Sequence, residues 1–262
     1  MSGGEPDWLE ELRRQSRSRR DPWVVLEGVA AVEGALAHWW DIQGVLAASA
    51  CGWEPPEWSG LEVLRRERAE LAEIVGQAVC ADVLGLARIP EETADVAGLM
   101  AELEAGATVV VCPRLTDPGE VGAIVRNAAA LGAAATIFGD AGVSPFERES
   151  LRASGAALFR VPLRFADAGQ ILRCLRAAGF GILGIDREME KTRELDGLEP
   201  GDGSLALAVG SELEGLGSFW RAACDELVRI PAAAGTGAAD GAAAAAVCLW
   251  ELRRRHASEE DV

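Results

Sequence analysis

Two stretches, roughly ninety residues apart, carry the residues of this 262-residue chain whose types and spacing suit chemistry. The first reads Asp117-Pro-Gly-Glu-Val-Gly-Ala-Ile-Val-Arg-Asn-Ala128. It places Arg126 on the helix that follows Asp117-Pro118, where a planar guanidinium can hold a phosphate through two parallel hydrogen bonds. A guanidinium pKa above about 12 suits such a group to positioning and charge stabilisation rather than to proton abstraction. Composition alone reads Arg126 as one more exposed helix arginine, since the chain has many. The second stretch reads Val209-Gly-Ser-Glu-Leu-Glu-Gly-Leu216 and runs on to Cys224-Asp-Glu-Leu-Val-Arg-Ile-Pro231. Gly210 to Gly215 lacks the spacing of a dinucleotide-binding glycine loop, and no phosphate-cradling loop occurs elsewhere. Read by itself it is a tight turn whose Glu212 and Glu214 favour the positive N-terminal end of a helix over 216–223.

The elements around these stretches follow from apolar periodicity. Strands are predicted at 108–112, 135–138, 158–161, 182–185 and 205–209, with helices at 121–131, 145–153 and 168–178. Apolar strands alternating with helices of this length imply a parallel sheet covered on both faces. The last helix is predicted over 235–255 and holds an unbroken alanine run, 242–246, that favours helix and permits close approach. Nearer the N-terminus, a strand at 23–26, a helix at 28–39, a strand at 45–48 and a helix at 61–79 give a βαβα pattern that ends near residue 90. Arg65, Arg66 and Arg68 then lie on a charged helix face. The chain divides into an arginine-rich arm (1–20, a short helix or flexible tail), a small α/β domain (21–90), a linker with a helical turn (91–104), a larger domain (105–256) and an acidic tail (257–262).

Composition excludes several classes. With 49% hydrophobic residues the chain can bury a proper core. No apolar run approaches the roughly 18 residues of a membrane helix, and the first residues lack a signal layout, which predicts a cytoplasmic protein. Six cysteines without C-x-x-C spacing and only two histidines, His38 and His256, predict reduced thiols and no metal site. A net charge of −17 argues against broad, nonspecific binding of a polyanion.

Together the two stretches resemble the SpoU family of RNA ribose 2'-O-methyltransferases, and the resemblance extends over Ser144-Pro to Ser154-Gly and Phe159-Arg-Val-Pro162, roughly residues 105 to 255. In that family the first stretch supplies an Asn and, six residues later, an Arg at the reacting ribose, while the second builds the pocket for S-adenosylmethionine. A third segment, Ser-Leu-Asn, begins eight residues after the Ile of Ile-Pro. Arg126 fills the Arg position here, and Glu212 matches the family's acid. Glu120 stands where the Asn belongs, and counting from Ile230 gives Ala238-Ala-Asp240.

The resemblance implies an α/β fold, a Rossmann-like parallel sheet with a C-terminal trefoil knot, one of the rare exceptions to unknotted chains. The opening Trp23-Val-Val-Leu-Glu-Gly-Val29 looks like the start of the small substrate-binding domain that often precedes it. It further implies S-adenosylmethionine held largely by backbone at Gly210, Ser211, Ile230 and Ala239, with Arg126, Glu212, Glu120 and Asp240 at the catalytic positions. The implied partner is tRNA or rRNA, with no DNA and no membrane, and the implied assembly is a homodimer. Glu120 would set a carboxylate where an RNA phosphate approaches and within reach of Arg126, Ala238 removes a hydroxyl, and Asp240 loses amide donors. The alternative is a catalytically inactive homologue that serves as a dimeric RNA- or protein-binding scaffold.

Overall fold

The computed structural model describes residues 5–14, 22–75, 81–186, 192–198, 203–211, 215–231 and 240–260, with the side chains of residue 75 and of 256–260 left out. Among the described residues the chain builds two sheets. The first unit runs α1 (Asp7–Arg14), β1 (Trp23–Glu27), α2 (Val29–Ala37), β2 (Ile42–Ala48), β3 (Val63–Arg66), α3 (Arg68–Val75) and β4 (Val83–Arg88). Its strands lie in the order β1-β4-β2-β3, with β4 antiparallel to both neighbours and β2 parallel to β3. Helix α1 buries Leu9 and Leu12 against this sheet, and the Trp8 ring lies on Gly44 of β2, where a Cβ would be 2.2 Å away. Residues 7–14 are thus a packed helix, while Arg17, Arg19 and Arg20 lie outside the described residues.

Two expectations for this unit are corrected. The helix predicted over 61–79 is a strand followed by a short helix, because a brief apolar run such as Val63-Leu64 fits either period and pairing with β2 decides it. Arg65 accordingly leaves the sheet edge to donate to the carbonyls of Cys51 and Trp53 (2.7 and 2.9 Å). The βαβα pattern also omitted β4, the central strand that binds β1 to β2.

Helix α4 (Val96–Glu102) lies in the segment read as a linker, yet it buries Val96, Leu99 and Met100 beneath the second sheet. Asp95 caps it by accepting from Gly98 N at 2.8 Å. The second unit continues β5 (Thr108–Cys112), α5 (Pro118–Ala130), β6 (Ala135–Gly139), α6 (Arg148–Ser154), β7 (Leu163–Ala166), α7 (Ala168–Ala177), β8 (Gly181–Ile185), β9 (Arg193–Glu194), β10 (Leu205–Val209), α8 (Gly217–Ala223), β11 (Glu226–Arg229) and α9 (Gly241–Glu260). All its neighbours pair in parallel, in the order β7-β6-β5-β10-β8-β11-β9.

The strand predicted at 158–161 is a 3-10 turn over Ala157–Phe159, and β7 begins only after Pro162. Gly155 and Ala156 both take left-handed φ values (58° and 65°), which turns the chain out of extended geometry just where the apolar run starts. Helix α6 starts later than predicted because Ser144 and Glu147 form a turn first, with Ser144 Oγ accepting from Phe146 N and Glu147 Oε1 from Ser144 N, both at 3.2 Å.

The order of strands fixes where a ligand can sit. The sheet grows from β5 outward through β6 to β7, then resumes on the other side at β8, and β10 is inserted between β5 and β8. In open α/β sheets ligands bind at such a reversal, outside the carboxyl ends of the strands, which here are the ends of β5, β10 and β8 and define the crevice considered below.

Candidate functional site

Strand β5 ends at Cys112 and strand β10 at Val209, so the first stretch leaves one side of the crevice and the Gly210 turn leaves the other. Asp117 caps α5 by accepting from Glu120 N at 2.7 Å, and Pro118 occupies the first turn, where its missing N–H costs nothing. Helix α5 is pinned on two faces. Gly122 lets α6 approach so closely that a Cβ there would fall 2.2 Å from Ser150 O. The amide of Asn127, the chain's single Asn, donates to Ala242 O at 3.0 Å and ties α5 to the first turn of α9.

The described ends of the segment after β10 meet through main chain. Ser211 and Gly215 form an antiparallel bridge, with Gly215 N donating to Ser211 O at 2.9 Å. A Cβ at Gly210 would lie 2.1 Å from the Gly215 carbonyl carbon and 2.3 Å from Leu216 N. Across the crevice Gly241, the first residue of α9, packs against both other elements: a Cβ there would meet Glu120 Oε1 at 2.3 Å and Gly210 O at 3.1 Å. Glu120, Gly210 and Gly241 therefore converge at one point, although they are far apart in sequence. The groups that meet there are the main chain of Gly210, Gly215 and Gly241 and the Glu120 carboxylate, packed too closely to admit a Cβ at Gly210 or Gly241.

The polar side chains then separate by role. Glu120 is half-buried, and its Oε1 is buried beside Gly241, so this oxygen of the carboxylate faces the start of α9. Burial, and after it the Glu120 charge, push the Cys112 thiol well above its ordinary range. Arg126 is exposed and makes no ion pair among the described residues, which corrects the expected Glu120–Arg126 contact. Six residues of α-helix amount to about 600° of rotation and about 9 Å of rise, which carries the two side chains onto different faces. Asp240 Oδ1 accepts from Ala243 N at 2.8 Å and caps α9, so the expected catalytic position is engaged in holding the helix.

Ile230, just beyond β11, is half-buried and packs on the main core, at the same end of the sheet. Ser211 is buried at the turn. Glu212, Ala238 and Ala239 lie outside the described residues. Sequence reasoning missed Asp186, which follows β8 directly at the crevice. It is buried and bound by Arg221 of α8 (Nη2 to Oδ1 2.9 Å, Nε to Oδ2 2.5 Å), which fastens α8 to the end of that strand. A lone Asp after an apolar strand was its only signal. Asn127 was also missed as a tie between helices.

Among known proteins, the model of the SpoU rRNA Methylase family matches residues 107–250. A 23S rRNA (uridine(2479)-2'-O)-methyltransferase of Streptomyces viridochromogenes is 27% identical over 94% of this chain and 87% of its own length. An uncharacterized tRNA/rRNA methyltransferase of Mycobacterium sp. strain KMS is 30% identical over 76% of this chain and 64% of its own. Among solved structures, an AdoMet-bound rRNA methyltransferase of Sinorhizobium meliloti superposes with a TM-score of 0.81 at 23% identity, covering 97% of each chain. A SpoU methyltransferase of Streptomyces viridochromogenes in complex with AdoMet gives 0.79 at 23% identity, covering 97% of this chain and all of the other.

Proposed function

The chain belongs to the SpoU rRNA methylase family, and from that premise we propose that it transfers a methyl group from S-adenosylmethionine to a ribose 2'-hydroxyl of rRNA or tRNA. The observation that carries the reading is the meeting of the Gly210 turn, Glu120 and the first turn of α9 at the switch point of the parallel sheet. The relatives matched are named as methyltransferases, which does not favour the silent-scaffold alternative.

The chemistry would be an in-line displacement in which the ribose oxygen takes the methyl carbon as its bond to sulfur breaks, S-adenosylhomocysteine leaves and the hydroxyl proton passes to water, so alignment of hydroxyl and donor supplies most of what the protein contributes. S-adenosylmethionine provides the sulfonium-activated methyl group. Gly210, Ser211, Ile230 and Ala239 would hold it through backbone atoms, and Glu212 would support that turn. Arg126, exposed and without an ion-pair partner among the described residues, would clamp the phosphate next to the reacting ribose and stabilise charge as the hydroxyl loses its proton. Glu120 and Asp240 would shape the pocket by fixing the start of α9 rather than by touching RNA. Residues 21–90 would serve as the RNA-holding domain.

The trefoil knot and the homodimer belong to the same reading. The knot is supported by the insertion of β10 between β5 and β8 and by the return of α9 onto α5. The dimer is supported by the apolar residues that α9 leaves exposed, Val247 and Trp250.

The test uses labelled cofactor with bulk rRNA and tRNA, followed by alkaline hydrolysis. A methylated ribose cannot attack its neighbouring phosphate, so the label should appear in alkali-resistant dinucleotides and disappear with Arg126→Ala. Label confined to a base, or no transfer at all, overturns the reading.

A further inference from the structure

The exposed residue that is hardest to explain by folding is Trp39. It is 84% exposed and has φ 58°, a left-handed conformation that a bulky side chain rarely adopts. The surrounding hydrogen bonds show why the conformation is imposed. Trp40 N donates to Ala35 O at 3.0 Å and Trp39 N to Leu36 O at 3.1 Å, the two bonds of a Schellman motif closing α2. Trp39 is the residue of that motif where glycine ordinarily sits. A large aromatic has been placed, against backbone preference, where it contributes nothing to the core.

It has a partner. Trp58, 61% exposed, lies with its ring centroid 5.6 Å from that of Trp39. The Trp58 turn is held by hydrogen bonds: Ser59 N and Oγ both donate to Pro56 O (2.9 and 2.7 Å), and Arg65 holds the preceding loop by the carbonyls of Cys51 and Trp53. The chain neighbours of Trp39, His38 and Trp40, line a cleft of about 320 Å³ at the junction of the two units, at the lower end of small-ligand pockets. Trp40, Phe146 and Phe159 form part of its wall through edge-to-face contacts of 5.9 and 5.0 Å. Arg160 and Arg164 also line it, with Glu92 as the opposing acid. Arg160 is exposed and its side chain has no ion-pair partner among the described residues.

We propose that the Trp39–Trp58 pair and the adjoining cleft hold an unpaired nucleotide of the substrate RNA, its base stacked on the tryptophans and its phosphate on Arg160. The proposal rests on the RNA reading above and names where, outside the reacting site, that RNA is gripped. Rigid exposed aromatics bind nucleobases of any sequence through their faces, at low ordering cost. Such a contact also answers the charge problem. A chain of net charge −17 gains little from long-range attraction to RNA, so short-range stacking plus a local cation must carry the grip.

The experiment measures binding of a dye-labelled single-stranded RNA, on the order of twelve nucleotides, to the full chain by anisotropy. Alongside it run calorimetry with S-adenosylmethionine, methyl transfer to rRNA, and the oligomeric state. Trp39→Gly is the discriminating variant, because glycine suits the Schellman position: its melting temperature should equal or exceed that of the natural chain while its RNA affinity falls about tenfold. Trp58→Ala should lose a similar factor, and Arg160→Ala should lower the slope of log affinity against log salt by about one. Cofactor affinity should stay unchanged in all three. Unaltered RNA binding in the tryptophan variants overturns the proposal, as does a change in oligomeric state that accounts for the loss. If the natural chain methylates rRNA but the variants bind RNA equally well, the functional reading stands and the subsite falls. If no RNA is methylated yet binding depends on the tryptophans, the subsite stands and the functional reading falls.

Discussion

At the scale of single residues, the departures from the SpoU pattern take on different meanings once placed. Glu120 looks disruptive in sequence because a carboxylate replaces an amide, and Arg126 six positions later invites a pairing. The helix turns the two apart, and Gly241 makes room for the carboxylate to face inward. Side chains without shared partners contribute independently to stability. A double-mutant cycle with Glu120→Gln and Arg126→Ala, followed by denaturant unfolding, should therefore give a coupling below about 0.5 kcal/mol. A larger coupling would establish the ion pair that the geometry denies. The same variants separate roles: Arg126→Ala should weaken kcat/KM for RNA while leaving cofactor affinity intact.

At the scale of elements, α9 shows how the crevice is secured. Its first turn is held by the Asp240 cap and by the Asn127 amide, and its apolar side by Ala245, Cys248, Leu249 and Leu252, all buried. Asp240→Ala should cost about 1 kcal/mol of stability, whereas Asp240→Asn should be nearly neutral because an amide oxygen caps as well. Chemical denaturation of both variants checks this. Further along, Glu251 accepts from Arg254 and Arg255 (2.6 to 2.9 Å), and those bonds hold its carboxyl down to about 2. A depressed folded pKa adds stability above the unfolded value and loses it as pH falls toward the folded one. The melting difference between the natural chain and Glu251→Gln should accordingly be full near neutrality and shrink from about pH 4.5 toward about pH 2. A difference independent of pH would show that the arginines do not sense the Glu251 charge.

These elements also show what could be read in advance. The strands at 108–112 and 205–209 stand where the apolar runs put them, because both are buried on two faces and their pattern has one solution. The edge strand β3 and the turn at 157–159 were misread, since short apolar runs fit either period and the decision rested on distant partners or on left-handed backbone at Ala156. Of the candidate site, the tight approach at Gly210 was legible from the glycine spacing, and the exposure of Arg126 from the abundance of arginine. The inward Glu120 and the capping Asp240 were not, because both depend on α9 returning to α5 across more than a hundred residues of chain.

At the scale of the whole molecule, assembly must reconcile an apolar helix face with a large like charge. Helix α9 exposes Val247 and Trp250, three residues apart and so on one face, at 43% and 54%, with the Arg254 guanidinium 5.9 Å from the Trp250 ring centre. Their burial between two copies would remove apolar area that the isolated chain leaves in water. Against it stands the repulsion of two chains of −17 each, which salt screens over a Debye length of about 8 Å at physiological ionic strength. The proposed dimer should thus tighten as salt is raised, opposite to the weakening that salt imposes on protein–RNA contacts. Light scattering at micromolar concentration and moderate salt should give twice 27.6 kDa for the natural chain and 27.6 kDa for Trp250→Glu, whose melting temperature at low concentration should match that of the dissociated natural chain. A natural chain that stays monomeric at every salt concentration removes the dimer. A Trp250→Glu variant that remains dimeric moves the interface away from α9.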